Sequence, residues 1–555
     1  MRKRFEVWNY LAIALLVLFV LFFIYPSARL MWEAFYTEKD GLTLGAFAKF
    51  FEKSYYWSTI LNSFKVSGAV MLISLALGIP FSYFFSFYRL KGRKLLFVLA
   101  LLCTMSAPFI GAYSWIMLLG RSGVITKFLA GLGIKVGSIY GFGGILLVQS
   151  LKLFPLVMIY MNGAFQDIDN SLLEASANLG TTGMRRFFKV VMGLTMPTLL
   201  AAALIVFMRA FADFGTPAII GEGFKTFPVL IYDSYLSETG ANYNFASAVS
   251  VLAIVLTAVV FLFQKWATGR FKFTINSLHP IEKKEPRGAL GVLMHVYCYA
   301  LTAVAMLPQL YIILDSFRDY KGQVAQATYS LSNYQNAIRK LLGRSITNTL
   351  VISALALMLI IIIAVLIAYL VVRRPSSFNH LIDTVSMLPY IMPGAVIGIS
   401  LIVAFSAFRL EIGGSSYALV GSIWIMVIAL AIRRMPYTSR SATATMMQIP
   451  VSTEEAAISL GAGRLKTFIV ITVPQMKSGI LSGAILSFVS IITEMSSGIF
   501  LYNNRTITLT LSTYSSITLG SYGTASAFAT VTTLLTVACL VLYLWFTRGS
   551  EKVRL

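Results

Sequence analysis

The chain has 555 residues, of which 57% are hydrophobic and only 12% charged. Soluble domains carry about 25% charged residues, so the composition excludes an ordinary soluble enzyme, and its hydrophobicity excludes disorder. The 45 Lys and Arg against 22 Asp and Glu leave +23, a surplus that a membrane protein gathers on one side of the bilayer instead of offering to nucleic acid.

A spanning helix needs about 20 mainly apolar residues. Twelve such runs follow one another, at roughly 8–25, 60–88, 95–119, 140–163, 196–220, 245–266, 290–314, 346–372, 381–408, 417–437, 477–501 and 524–547. The ten-residue alternation of a membrane barrel is absent. The predicted fold is therefore an all-α polytopic bundle of about 12 transmembrane helices in a lipid bilayer. The basic start at 1–4 has no cleavage site behind it and reads as the lead-in to a retained first helix. With that end in the cytoplasm, most basic residues fall on inside segments, the tract at 89–94 most clearly, and both termini are predicted cytoplasmic. Lys65, Lys152 and Arg209 fall within spans. The tract 267–289 is polar, basic and proline-punctuated, and reads as a cytoplasmic linker between modules at 1–266 and 290–555.

The two modules repeat. At an offset of 281, Pro155 meets Pro436, Glu174 and Ala175 meet Glu455 and Ala456, Leu179 and Gly180 meet Leu460 and Gly461, and Phe187 meets Phe468. At an offset of 286, Asn62 meets Asn348. A parallel repeat implies two similar halves about an axis along the membrane normal, with a pathway between them. The repeated segments lie in inside loops, 164–195 and 438–476. Ser171 and Glu174 form a capping-box pattern that predicts a short helix, repeated by Ser452 and Glu455. Ala175, Ser176 and Ala177 keep its surface low, and Gly180 can take the positive φ that ends it. Such a helix is shaped to enter another protein's groove; the alternative is an amphipathic helix resting on the membrane.

Glu455, Ala456, Ala457 and Gly461, followed by Pro474, resemble the signature of permease subunits of binding-protein-dependent ABC importers. The first copy, Glu174, Ala175, Ser176 and Gly180, departs from it with Ser176 for the second alanine and Gly193 in place of the proline, which suggests unequal contacts by the halves. Two modules in one chain resemble the fused ferric-iron-type permeases, whose group also includes thiamine, phosphonate, polyamine and sugar-phosphate relatives. The resemblance implies a bacterial cytoplasmic membrane protein whose loops are coupling helices, seated in two copies of a cytoplasmic ATPase subunit. It also implies an extracytoplasmic solute-binding protein as partner. Where many ferric-type permeases carry Glu-Leu-Pro, this chain has Glu494, Met495 and Ser496.

No phosphate-cradling loop is present; 221–226 approaches one but lacks glycine before Lys225. ATP and magnesium are therefore expected in the partner, with no cofactor on this chain. The three histidines (His279, His295, His380) and three cysteines are scattered, so neither catalytic residues nor a metal site is predicted. Ionisable residues inside spans are functional candidates. Arg209 and Asp213 stand four apart, as an ion pair on one helical face would, and Asp213 aligns with Glu494 at the offset of 281. Two acids across a pathway could guide a cation, and a lone arginine could hold an anion; the alternative is that Arg209 and Asp213 neutralise each other in packing. An ion-coupled secondary transporter would have the same span count but no duplicated docking loop.

Overall fold

The computed structural model describes residues 7–37, 41–105, 108–135, 137–236, 243–270, 279, 281–412 and 415–547. The basic start at 1–4, most of the linker's polar core (271–278 and 280) and the basic residues of 548–554 lie outside them. Among the described residues nine helices are long and apolar enough to cross a membrane. Two further candidates are broken helices: Ser377–Ile391 with Gly394–Phe405, bent by 110°, and Arg464–Gln475 with Lys477–Ile492, bent by 69°. Ile423–Gln448, with Arg433, Arg434 and Arg440 along its length, corresponds to the remaining apolar run. Three two-stranded hairpins, such as Arg318–Lys321 against Val324–Tyr329, are the described β structure.

Several runs read as single helices are interrupted. The run 95–119 is covered by Arg93–Met105 and Pro108–Leu119, with 106 and 107 outside the described residues. The run 381–408 breaks at Met392 and Pro393, where proline cannot donate to the preceding turn. Pro80, Pro155, Pro389 and Pro436 lie inside continuous helices. The runs 196–220 and 477–501 end early, at Phe211 and Ile492, and resume as the short helices Gly215–Ile220 and Gly498–Leu501.

The chain divides into two compact units. One contains Met1–Phe50, Ile231–Ile254 and Asp315–Leu555; the other contains Phe51–Leu230 and Val255–Leu314. The first unit thus joins the core of the second sequence half to the leading helix and residues 231–254 of the first, and the second unit joins the core of the first half to the leading helix of the second. In the first unit, Trp8 of the leading span Val7–Phe35 packs on Tyr369 at 4.3 Å between ring centroids, and Phe22 and Tyr25 meet Phe405. In the second, Tyr297 of Gly288–Asp315 donates to the Leu77 carbonyl at 2.8 Å and meets the edge of Phe84.

Small residues bring the core helices together. In the second unit a side chain at Gly78 would sit 2.6 Å from Val157 Cβ, so only glycine lets Ser54–Phe87 lie this close to Phe142–Gln166. Gly483 does the same in the first unit, where an added Cβ would lie 2.6 Å from Thr438 Cα.

Candidate functional site

The duplicated loops form the short helices Asn170–Asn178 and Val451–Ser459. Both end alike. Gly180 (φ +77°) and Gly461 (φ +88°) take the left-handed conformation that a Cβ would oppose. Gly180 N–H donates to Ala177 O and Thr181 N–H to Ser176 O; Gly461 N–H donates to Ile458 O and Ala462 N–H to Ala457 O. These paired bonds satisfy the last carbonyls of each helix. A wide π turn follows each at the same register, Phe187–Val191 and Phe468–Thr472. Tyr83 meets the edge of Phe187 at 4.9 Å, and Tyr369 meets the edge of Phe468 at 4.7 Å.

The starts of the two helices differ from the predicted capping box. Asp169, not Ser171, caps the first by accepting from Ser171 N–H at 2.9 Å, and Glu174 accepts from the Asn170 side chain at 2.7 Å. The second begins after Pro450 with no side-chain cap, so Ser452 does not act as one. Of the predicted docking residues, Glu174, Ala175, Gly180, Glu455, Ala456 and Gly461 are exposed, whereas Ser176 and Ala457 are buried. Ser176 donates to Leu173 O within its own helix, so its departure from alanine faces the protein's interior and leaves the outer surface unchanged. Sequence reasoning missed Leu179 and Leu460 as surface residues; they are 85% and 89% exposed beside the two glycines. Their signal was present in the alignment of the copies.

The first helix is also held by the linker. Asn170 N–H donates to His279 O at 3.0 Å and His279 N–H to Asp169 Oδ2 at 3.1 Å, while Lys284 pairs with the backbone of Phe87 and Arg89. The described part of the predicted tether is pinned, not free.

Asp213 and Glu494 lie just beyond helix ends. Asp213 is two residues past Phe211, so it does not share a continuous helical face with Arg209, which occupies the last turn of Met192–Phe211. Its carboxylate accepts from Gln149 Nε2 at 3.0 Å and from Gly215 N–H at 3.2 Å. Glu494 is buried and accepts from Ser496 Oγ at 2.7 Å and Ser497 N–H at 3.3 Å. Both acids therefore bond to backbone N–H groups just ahead in the chain and stabilise a turn at the break. Glu494 also pairs with Arg433 at 3.1 Å and with Arg434. Both arginines stand at the end of the run 417–437 and lie inside Ile423–Gln448. A Cβ at Gly394 would fall 1.3 Å from Arg433 Nη1, so glycine at the 110° break makes room for this cluster.

Asn62 and Asn348 perform one task. Asn62 donates to Lys225 O at 3.0 Å, and Asn348 to Arg505 O and Ile507 O at 2.8 and 2.9 Å. Beside them, Ser63 Oγ accepts from Phe227 N–H and Thr349 Oγ1 from Leu509 N–H. The loop 221–226 is thus tied by its backbone to the second core helix, with Glu222 paired to Arg121 at 3.0 Å.

A family described as the binding-protein-dependent transport system inner membrane component matches residues 74–273 and again 360–554. The chain belongs to this family. It is a permease subunit of an ABC importer, a multi-pass inner-membrane protein and not an enzyme. This membership removes the ion-coupled secondary transporter as an alternative. Among its relatives is the ferric transport system permease protein FbpB of Actinobacillus pleuropneumoniae, 28% identical over an alignment of 568 positions that covers 99% of this chain and 79% of that protein. Another is the putative ferric transport system permease protein FbpB 1 of Haemophilus influenzae, 29% identical over 514 positions, 90% of this chain and 78% of that protein. The spermidine/putrescine transport system permease protein PotB of Haemophilus influenzae is 27% identical over 267 positions, 46% of this permease and 92% of that protein. The two matched segments of the permease each contain one short loop helix and one acidic break.

Proposed function

We propose that this permease imports ferric iron delivered by an extracytoplasmic binding protein, with ATP and magnesium held by two copies of a separate cytoplasmic ATPase subunit. The observation that carries the cargo is the length of the match: relatives named for ferric transport align through both modules, across 99% and 90% of this chain. The ATPase subunits seat on Asn170–Asn178 and Val451–Ser459. Glu174 and Glu455 pair with basic groups there, while the exposed Leu179 and Leu460 bury apolar surface. That placement puts both termini in the cytoplasm. Asp213, Arg209 and Glu494 belong to the translocation pathway.

A second reading is favoured by the two arginines that meet at Glu494, which place two guanidinium groups at the acidic break. It is an anionic cargo, a phosphonate or sugar phosphate. Uptake of radiolabelled ferric iron into proteoliposomes holding the permease, ATPase and loaded binding protein tests the proposal, with phosphonate, sugar phosphate, thiamine and spermidine as competing cargo. ATP-dependent iron uptake that none of them displaces is expected. Uptake of a phosphonate or sugar phosphate in place of iron establishes the second reading.

A further inference from the structure

The two docking helices are fastened to their bundles by different chemistry. In the first unit, Arg373 ends the long helix Leu342–Arg373. Its Nε donates to Glu454 Oε1 at 2.9 Å and its Nη2 donates to Ile449 O at 2.7 Å. Both charged side chains are buried, at 8% and 9% exposure. Glu454 lies in the first turn of Val451–Ser459, and Ile449 is the residue that ends Ile423–Gln448. One planar guanidinium therefore joins three helices. Its fork fixes direction as well as distance, and the cation at one helix's C-terminus and the anion at another's N-terminus both suit the local dipoles.

At the matching offsets of 286 and 281 the other half has Phe87 and Leu173. These belong to one apolar cluster with Phe165. Apolar contact is non-directional and tolerates sliding; the Arg373 fork does not.

We infer that Arg373 and Glu454 are positioning residues that carry ATPase-driven displacement of Val451–Ser459 into the membrane helix Leu342–Arg373. The inference rests on the docking role proposed above. The second coupling helix moves as one body with two transmembrane helices, whereas the first meets its core helix through an apolar joint and is tied by hydrogen bonds to the linker.

The test uses the complete transporter in proteoliposomes and reads cargo uptake per ATP hydrolysed, alongside crosslinking of Ser459→Cys, an exposed position on the same helix, to the ATPase subunit. Arg373→Met should keep the crosslink and ATP hydrolysis while uptake per ATP falls about tenfold, a typical size for coupling between sites. Arg373→Lys should restore part of the ratio, since it returns the charge without the fork. An unchanged ratio with the crosslink intact overturns the inference alone. Absence of the crosslink in the unaltered background overturns the docking role and the inference with it. Should Arg373→Met fail to insert, Glu454→Gln, which keeps the side chain's shape, decides by the same ratio.

Discussion

The helices Asn170–Asn178 and Val451–Ser459 share one outer design and two inner ones. Outside, an exposed glutamate, a small residue and an exposed leucine precede a glycine of positive φ at the same register. Inside, the first has an aspartate cap, a linker backbone and a buried leucine, while the second has a buried ion pair. Repetition has held constant the outer surface of these helices and has allowed their anchorage to diverge. A symmetric partner can therefore meet an asymmetric permease.

Three substitutions probe that contrast, in falling order of effect. Glu454→Leu leaves Arg373 buried without its carboxylate, and removing one partner of such a pair costs about 3–5 kcal/mol. Hydrogen exchange across 449–459 should accelerate far more than at any other docking-loop variant; protection equal to the unaltered chain would mean that the pair contributes nothing. Asp169→Ala removes a helix cap worth about 1 kcal/mol and one of the linker's contacts. Amides 170–173 should then exchange faster with the second helix unaffected, and a matching change at 451–459 would show that the anchorages are not independent. Ser176→Ala, which makes the first copy resemble the second, should shift exchange by less than about 0.5 kcal/mol, because the hydroxyl it removes serves only its own helix. A large loss of uptake there would show that the serine reaches the partner after all.

The repeat was legible because it is written in local chemistry. Gly180 and Gly461 do in the structure what their shared register implied, since a glycine ending a helix depends on near neighbours, whereas the loop carbonyls that Asn62 and Asn348 hold, 163 and 157 residues away, were not legible from the pairing of the two asparagines. The acidic candidates were legible as positions but not as environments. Glu494 and Arg434 are 60 residues apart, and Arg373 and Glu454 are 81 apart, distances over which no periodicity carries information. Hydropathy placed Arg433 and Arg434 at the end of the run 417–437 but said nothing of their partner, because it measures average polarity and Glu494 is distant in sequence. The breaks at Phe211 and Ile492 were hidden for a similar reason: the residues after each remain apolar enough to continue the run.

The exchange of leading helices between the two bundles bears on how such a chain can be cut or joined. Val7–Phe35 packs with the bundle built from the far half of the sequence, and Gly288–Asp315 packs with the bundle built from the near half. A nick within 271–278 would yield two fragments, each still clasped by the other through its own first helix. Co-expression of the halves as separate polypeptides should therefore reconstitute the transporter.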